Sequence, residues 1–196
     1  MNETEKIQVS GYQVPKKNQA VCGDQYFYTH TQDYFVCAMA DGLGSGEAAF
    51  EASSAVVNVV KSYHSEDVHS IIQRCNLALK SKRGAAVAIF KIYFKSQELV
   101  YSCVGNINFY LYSPSSKLIY PLPVMGYLSG KPQVFNTQRF SYQSNSTFLF
   151  HSDGVKLRAI KGLLSTVESL EEMHIRLREY EDNRDDDFTF IGGFIH

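Results

Sequence analysis

Charge of one sign is what this sequence most plainly lacks. Its 19 lysines and arginines meet 20 aspartates and glutamates, a formal balance of −1. A surface so mixed offers no basic face, so neither nucleic acid nor an anionic membrane is expected as a partner. Long apolar runs are missing as well, since no stretch approaches the roughly 20 residues that a spanning helix needs. Residues 1–10 are polar and lack the apolar core of a secretory signal, so the cytoplasm is the expected setting. The four cysteines, Cys22, Cys37, Cys75 and Cys103, show no CxxC spacing. They sit mostly in apolar surroundings without an export signal and are expected to be reduced thiols. Repeats, low-complexity tracts and an interdomain linker are absent. The 196 residues, 44% hydrophobic, suit one compact domain over 1–196 without a separate regulatory domain.

What is present is periodic. Over 46–63, Ala48, Ala52, Ala55, Val56, Val59, Val60 and Tyr63 recur every three or four positions, which predicts a helix with one buried stripe. Residues 68–79 repeat the pattern, with Asp67 as N-cap. A third helix is predicted over 167–180, with Ser165 and Glu168 at capping-box spacing. Stretches rich in β-branched and aromatic residues predict strands at 7–14, 25–31, 34–40, 87–94, 98–104, 109–113, 134–142, 147–151 and 188–195. Strands come in runs around a pair of helices rather than alternating with them. That order favours an α+β protein with antiparallel sheets. The connection over 112–132 is long, rich in proline, glycine and serine, and therefore either an exposed connector or a functional loop.

The most informative feature is aspartate beside glycine, or in an acidic run, at predicted strand ends. Asp24 follows Gly23, Asp41 opens Asp-Gly-Leu-Gly-Ser-Gly, Asp153 precedes Gly154, and Asp186 lies in the run 185–187 ahead of the last strand. Each glycine after Asp41 and Asp153 is expected to let the backbone turn sharply. Any one such pair is an ordinary turn dipeptide. Four of them can converge on one point, and converging carboxylates repel unless a cation intervenes. An all-oxygen set without His/Cys ligand spacing suits Mg²⁺ or Mn²⁺ rather than zinc.

In order, GDQY at 23–26, DGLG at 41–44, SDG at 152–154 and DDFT at 186–189 resemble the motifs of the metal-dependent protein phosphatases of type two C. The likeness runs from about residue 20 to the C-terminus and extends to the sporulation and stress-response branch of that family. It implies an αββα sandwich of two antiparallel sheets between helix layers. It also implies two Mn²⁺ or Mg²⁺ ions, with Asp24, Asp41, Asp153 and Asp186 as catalytic, metal-binding residues. In that scheme Asp41 bridges both ions with the Gly42 carbonyl beside it, Asp153 and Asp186 hold the first, and Asp24 serves the second. A metal-bridging hydroxide would then attack phosphoserine or phosphothreonine on a phosphorylated protein, with stressosome scaffold proteins as the implied substrates.

Two departures stand out. Relatives often carry an aspartate for a third ion where this chain has Asn106, in Val104-Gly105-Asn106. The upstream arginine that grips phosphate in other branches has no clear counterpart, and Lys16, Lys17 and Arg83 are expected to be solvated surface. His151 invites a general-acid role, although strand alternation is expected to turn it away from Asp153. The loop 126–132 could contact substrate through its backbone amides. Two other readings remain. The glycines over 42–46 could form a nucleotide- or cofactor-binding turn, or the chain could be a phosphatase-like module that binds phosphoproteins without hydrolysing them.

Overall fold

The computed structural model describes residues 6–183 and 185–196; residues 1–5 of the polar N-terminal stretch and Arg184, ahead of the acidic run, lie outside it. Strand β3 (Tyr34–Gly42) shows how the sequence builds the layers. Successive side chains on a strand point to opposite faces. Phe35, Cys37 and Met39 enter a core between two sheets, while Val36, Ala38 and Ala40 enter a second core beneath helices. Burial on both faces explains why this strand is apolar almost throughout.

One sheet runs β2 (Asp24–His30), β3, β4 (Ala85–Tyr93), β5 (Glu98–Val104), β8 (Thr137–Ser141). The other runs β1 (Ile7–Val14), β10 (Phe188–Ile195), β9 (Ser146–His151), β6 (Asn108–Tyr112), β7 (Leu118–Ile119). Every paired strand is antiparallel. Phenylalanines fill the space between the sheets, with the rings of Phe90 and Phe109 4.6 Å apart. Each such ring contributes roughly 1.5–3 kcal/mol by leaving water. Helices α1 (Glu47–Tyr63) and α2 (Val68–Ala78) cover the first sheet, and α3 (Ile160–Thr166) and α4 (Leu170–Arg178) cover the second. The result is the αββα sandwich expected.

Boundaries follow local chemistry with one clear correction. Asp67 caps α2 by accepting from the Ser70 amide at 3.0 Å. The helix expected over 167–180 begins only at Leu170, and Ser165 is not its cap. Val167 is extended and buried in the outer core, which breaks the chain between α3 and α4. The cap is Ser169, which accepts from the Glu172 amide at 3.1 Å, so the Ser-x-x-Glu signature lies four residues later. Helix α3 itself was not foreseen. The 112–132 connection also carries more order than its composition suggests. It includes β7, and it bridges Val124 to Val104 and Leu128 to Ala85. Asn76, buried in α2, donates to the Lys131 carbonyl at 2.7 Å and accepts from the Ser129 and Gly130 amides.

Candidate metal centre

Asp24 opens β2 and Asp41 lies one residue from the end of β3, and the two are directly paired across the strands. Ala86 of β4 is the next residue in that row. Directly opposed residues share a face of the sheet, and like charges so placed are destabilising. Ala86 belongs to the core between the sheets, so this face looks into the sandwich at its open end. The second sheet contributes Asp153, two residues past β9, and Asp186, two residues before β10. Since β9 and β10 are neighbours in register, both arrive at one end of that sheet. All four predicted aspartates therefore gather where the two sheets open. Gly42 ends β3, buried beside α1.

Gly154 lies in the turn expected, closed by the Val155 amide on the Ser152 carbonyl at 3.2 Å, whereas Gly42 is still in the strand, and both serve a further purpose. Neither Gly42 nor Gly154 is among the left-handed glycines. A Cβ at Gly42 would lie 2.0 Å from the Ala49 carbonyl oxygen, and one at Gly154 would lie 2.0 Å from that of Asp187. Glycine is required because other backbone crosses immediately above. The left-handed positions in the 41–46 turn are Gly44 and Gly46, the second being the N-cap of α1.

Several residues that sequence reasoning passed over hold the carboxylates in place. Asp187 is buried, and its two oxygens accept the Lys16 and Gly23 amides, each at 2.7 Å. It thereby ties the segment ahead of β2 to the start of β10. The Ser152 hydroxyl accepts from the Thr189 amide at 3.2 Å, joining the end of β9 to β10. Asn106 donates from Nδ2 to Asp153 Oδ2 at 2.5 Å, so the residue replacing an expected acid instead fixes a neighbouring one. Nothing in the spacing marked Asp187 out from the rest of its acidic run.

The electrostatics follow from this crowding. Burial pushes the Asp41 carboxyl up to about 8, and the charges of Asp24, Asp153, Asp186 and Asp187 add to it. Asp24 is pushed up to about 7 by burial, against the opposing pull of the Thr189 and Ser152 hydroxyls. Asp153 is raised too, by burial first and then by Asp186. Asp24 Oδ2 is buried with no hydrogen-bond partner. A buried unpaired oxygen is costly, and a hard cation is the ligand that an all-carboxylate set would satisfy. Among the described residues no three acidic, histidine or cysteine side chains stand at the spacing of a closed coordination shell.

The basic residues and His151 stand apart. Lys16 comes within 4.0 Å of Asp186, but both are substantially exposed, so the pair contributes little. Lys17 binds the Asp182 carbonyl, and Arg83, exposed, lays its guanidinium against Gly44. His151 is buried on the outer face of its sheet, donating from Nδ1 to the Ser152 carbonyl at 2.7 Å and stacking on Tyr110. Burial lowers it to about 4, so the ring is neutral near pH 7. Strand β3 has antiparallel neighbours on both sides. The 41–46 turn is therefore not the parallel crossover of a dinucleotide-binding fold. Outside the carboxylates lies an open groove of about 640 Å³, lined by Asp41, Asp153 and Asn106 together with Tyr120, Met125 and Tyr127.

The family model for Stage II sporulation protein E (SpoIIE) matches residues 31–191. The chain is 45% identical over 193 residues to the phosphoserine phosphatase RsbX of Bacillus subtilis (strain 168), covering 98% of this chain and 97% of that one. A crystal structure of RsbX in complex with magnesium has the same fold, with a TM-score of 0.95 over 99% of this chain and 98% of the other. A chain from a structure of the bacterial stressosome is 27% identical, with a TM-score of 0.86 over 96% of this chain and 100% of the other. The catalytic domain of the serine/threonine phosphatase PstP, solved with two manganese ions, shares the fold at 15% identity. Its TM-score is 0.77 over 96% of this chain and 98% of that one.

Proposed function

This chain belongs to the SpoIIE family, and from that membership we propose that it is a metal-dependent phosphoprotein phosphatase acting on phosphoserine and phosphothreonine. Its metals are two Mn²⁺ or Mg²⁺ ions, and its substrates are phosphorylated stressosome proteins. Dephosphorylating them makes it a negative regulator of the general stress response, in the cytoplasm. The near full-length likeness to RsbX supports the reaction. One observation in the chain itself carries the reading: Asp24 and Asp41 oppose each other across two strands, with Asp153 and Asp186 facing them from the second sheet.

Asp24, Asp41, Asp153 and Asp186 would hold the ions, with the Gly42 carbonyl as a further ligand. Bound there, divalent ions would neutralise the carboxylates, draw phosphate oxygens and bring water's pKa towards neutrality. The protein's own contribution is preorganisation. Asn106 fixes one oxygen of Asp153. Asp187 locks the strand ends that carry Asp24 and Asp186. His151 is buried on the outer face of its sheet against Tyr110, turned away from the groove, and so does not reach a leaving seryl oxygen there.

Phosphate release from a phosphoserine peptide tests this. Wild type should work with Mn²⁺ or Mg²⁺ and stop with chelator, and Asp41→Asn should lose several orders of magnitude. Folded wild type that releases nothing with either metal would leave a phosphoprotein-binding module instead.

A further inference from the structure

Of the large apolar side chains that the described residues leave in solvent, Phe50, Tyr63, Leu77 and Ile175 are spread over the helices. The others, Tyr120, Leu122, Met125, Tyr127 and Val134, all fall between β7 and β8, and Tyr120, Met125 and Tyr127 line one groove. Met125 is 85% exposed and Leu122 65%. Solvated loops do not usually gather such residues, and a contiguous apolar patch marks a contact surface.

This patch is also held rigidly. Val124 exchanges hydrogen bonds with the 103–105 segment, donating to the Cys103 carbonyl and accepting from the Gly105 amide, each at 2.9 Å. Leu128 and Ala85 bond reciprocally at 2.9 and 3.0 Å. Buried Asn76 clamps the following turn. Tyr120 is pinned twice, by stacking on Tyr110 at 4.8 Å and by donating its hydroxyl to Asn108 at 3.1 Å. Side chains presented on so fixed a backbone bind with little further loss of chain entropy.

The patch is continuous with the carboxylate centre. Tyr120, Pro123, Met125 and Tyr127 border the same groove as Asp41 and Asp153. No charged residue occurs between Lys117 and Lys131. The wall that this connection supplies is therefore uncharged, and an aliphatic neighbour of the phosphoserine laid against Tyr120 and Met125 would lose only unfavourable contact with water.

We propose that the groove between Tyr120 and Met125 is a specificity subsite, which selects phosphoserines flanked by apolar residues in the substrate protein. The proposal rests on the phosphatase reading but adds a preference which that reading does not contain. Two phosphoserine peptides test it, identical except that leucine flanks the phosphoserine in one and serine in the other. With Mn²⁺, wild type should favour the leucine peptide about tenfold in kcat/KM, the scale of one aliphatic side chain in an apolar pocket. Met125→Ser should bring the ratio close to one while still releasing phosphate from a small aryl phosphate. The ratio is read within each protein, so a general loss of rate does not imitate the effect.

Equal rates on the two peptides by wild type would overturn the proposal, as would an unchanged ratio in Met125→Ser. If wild type hydrolyses neither peptide nor the aryl phosphate, the phosphatase reading has failed by itself. Fluorescence anisotropy of the same labelled peptides then decides the subsite. Tighter binding of the leucine peptide that Met125→Ser abolishes would sustain it, and equal Kd values would overturn it. Sedimentation supplies one more outcome: a dimer dissociated by Met125→Ser would put a second copy on this patch and overturn the proposal.

Discussion

Replacing Asp41 with asparagine should abolish turnover yet stabilise the metal-free protein at alkaline pH. Folded, Asp41 holds its proton up to about 8, against an ordinary value of 3.8. A raised folded pKa means that the folded state binds the proton more tightly than the unfolded chain. The resulting stability is complete below about pH 4 and is lost as pH rises through about 8. One pKa unit corresponds to about 1.4 kcal/mol, so the penalty at high pH is at most about 6 kcal/mol. Neighbouring carboxyls share the retained protons, so removing the Asp41 charge alone should return about 2–4 kcal/mol. For a chain of this size that is a rise in Tm of roughly 5–15 °C. The assay is denaturation of wild type and Asp41→Asn in chelator at pH 5 and pH 8.5. The variant should be clearly more stable at pH 8.5, with the gap largely closed at pH 5. Saturating Mg²⁺ should stabilise wild type and leave the variant nearly unmoved. A variant less stable than wild type at pH 8.5 in chelator would refute the account of these carboxylates as a repelling cluster.

Metal binding should release protons, because Asp24 and Asp41 hold theirs up to about 7 and 8. Calorimetry of Mg²⁺ binding at pH 7 in two buffers of different ionisation enthalpy should give different apparent heats, and affinity should rise with pH until about 8. Asp187→Ala should leave the Lys16 and Gly23 amides without their acceptor, at about 1–3 kcal/mol each, and chemical denaturation should register a loss of about 2–5 kcal/mol. Asn106→Ala should lower kcat about tenfold with little change in Tm, since it frees Asp153 without opening the core; kinetics with a phosphoserine peptide would show it. Asn76→Ala should cost about 2–4 kcal/mol by urea titration and raise amide exchange over 126–131, since three hydrogen bonds to that turn share this one side chain.

Strand β3 and helices α1 and α2 were legible because their signal is local. The apolar run at 35–40 and the three-to-four spacing at 48–63 are properties of a single element. The run is buried throughout, and the stripe is buried at Ala52, Val56 and Val60, while its ends, Ala48 and Tyr63, are exposed and Ala49 and Ser53 are buried instead. The order of strands and helices likewise announced antiparallel layers. The four aspartates stood out through their glycine neighbours and their motif order, although Gly42 continues the strand rather than turning it and close backbone approach is a second reason for both glycines. Gly42 and Gly154 admit Ala49 and Asp187 backbone from other elements, which no local pattern records. The third helix was misplaced for a similar reason, because Val167 is claimed by a core built from β9, β10 and α4.

What the sequence by itself determined is therefore most of the strands, the first two helices, the antiparallel layering and the residue types able to hold a hard cation. Tertiary structure alone decided that Asp24 stands opposite Asp41, that Asn106 grips Asp153 across 47 residues, and that Asp187 binds amides 171 and 164 residues away. It also placed the apolar patch of 120–127 beside the carboxylates. Periodicity is written into every turn of a helix or pair of strand residues. A contact between distant residues exists only once the layers have packed, and nothing in either residue's own neighbourhood encodes it.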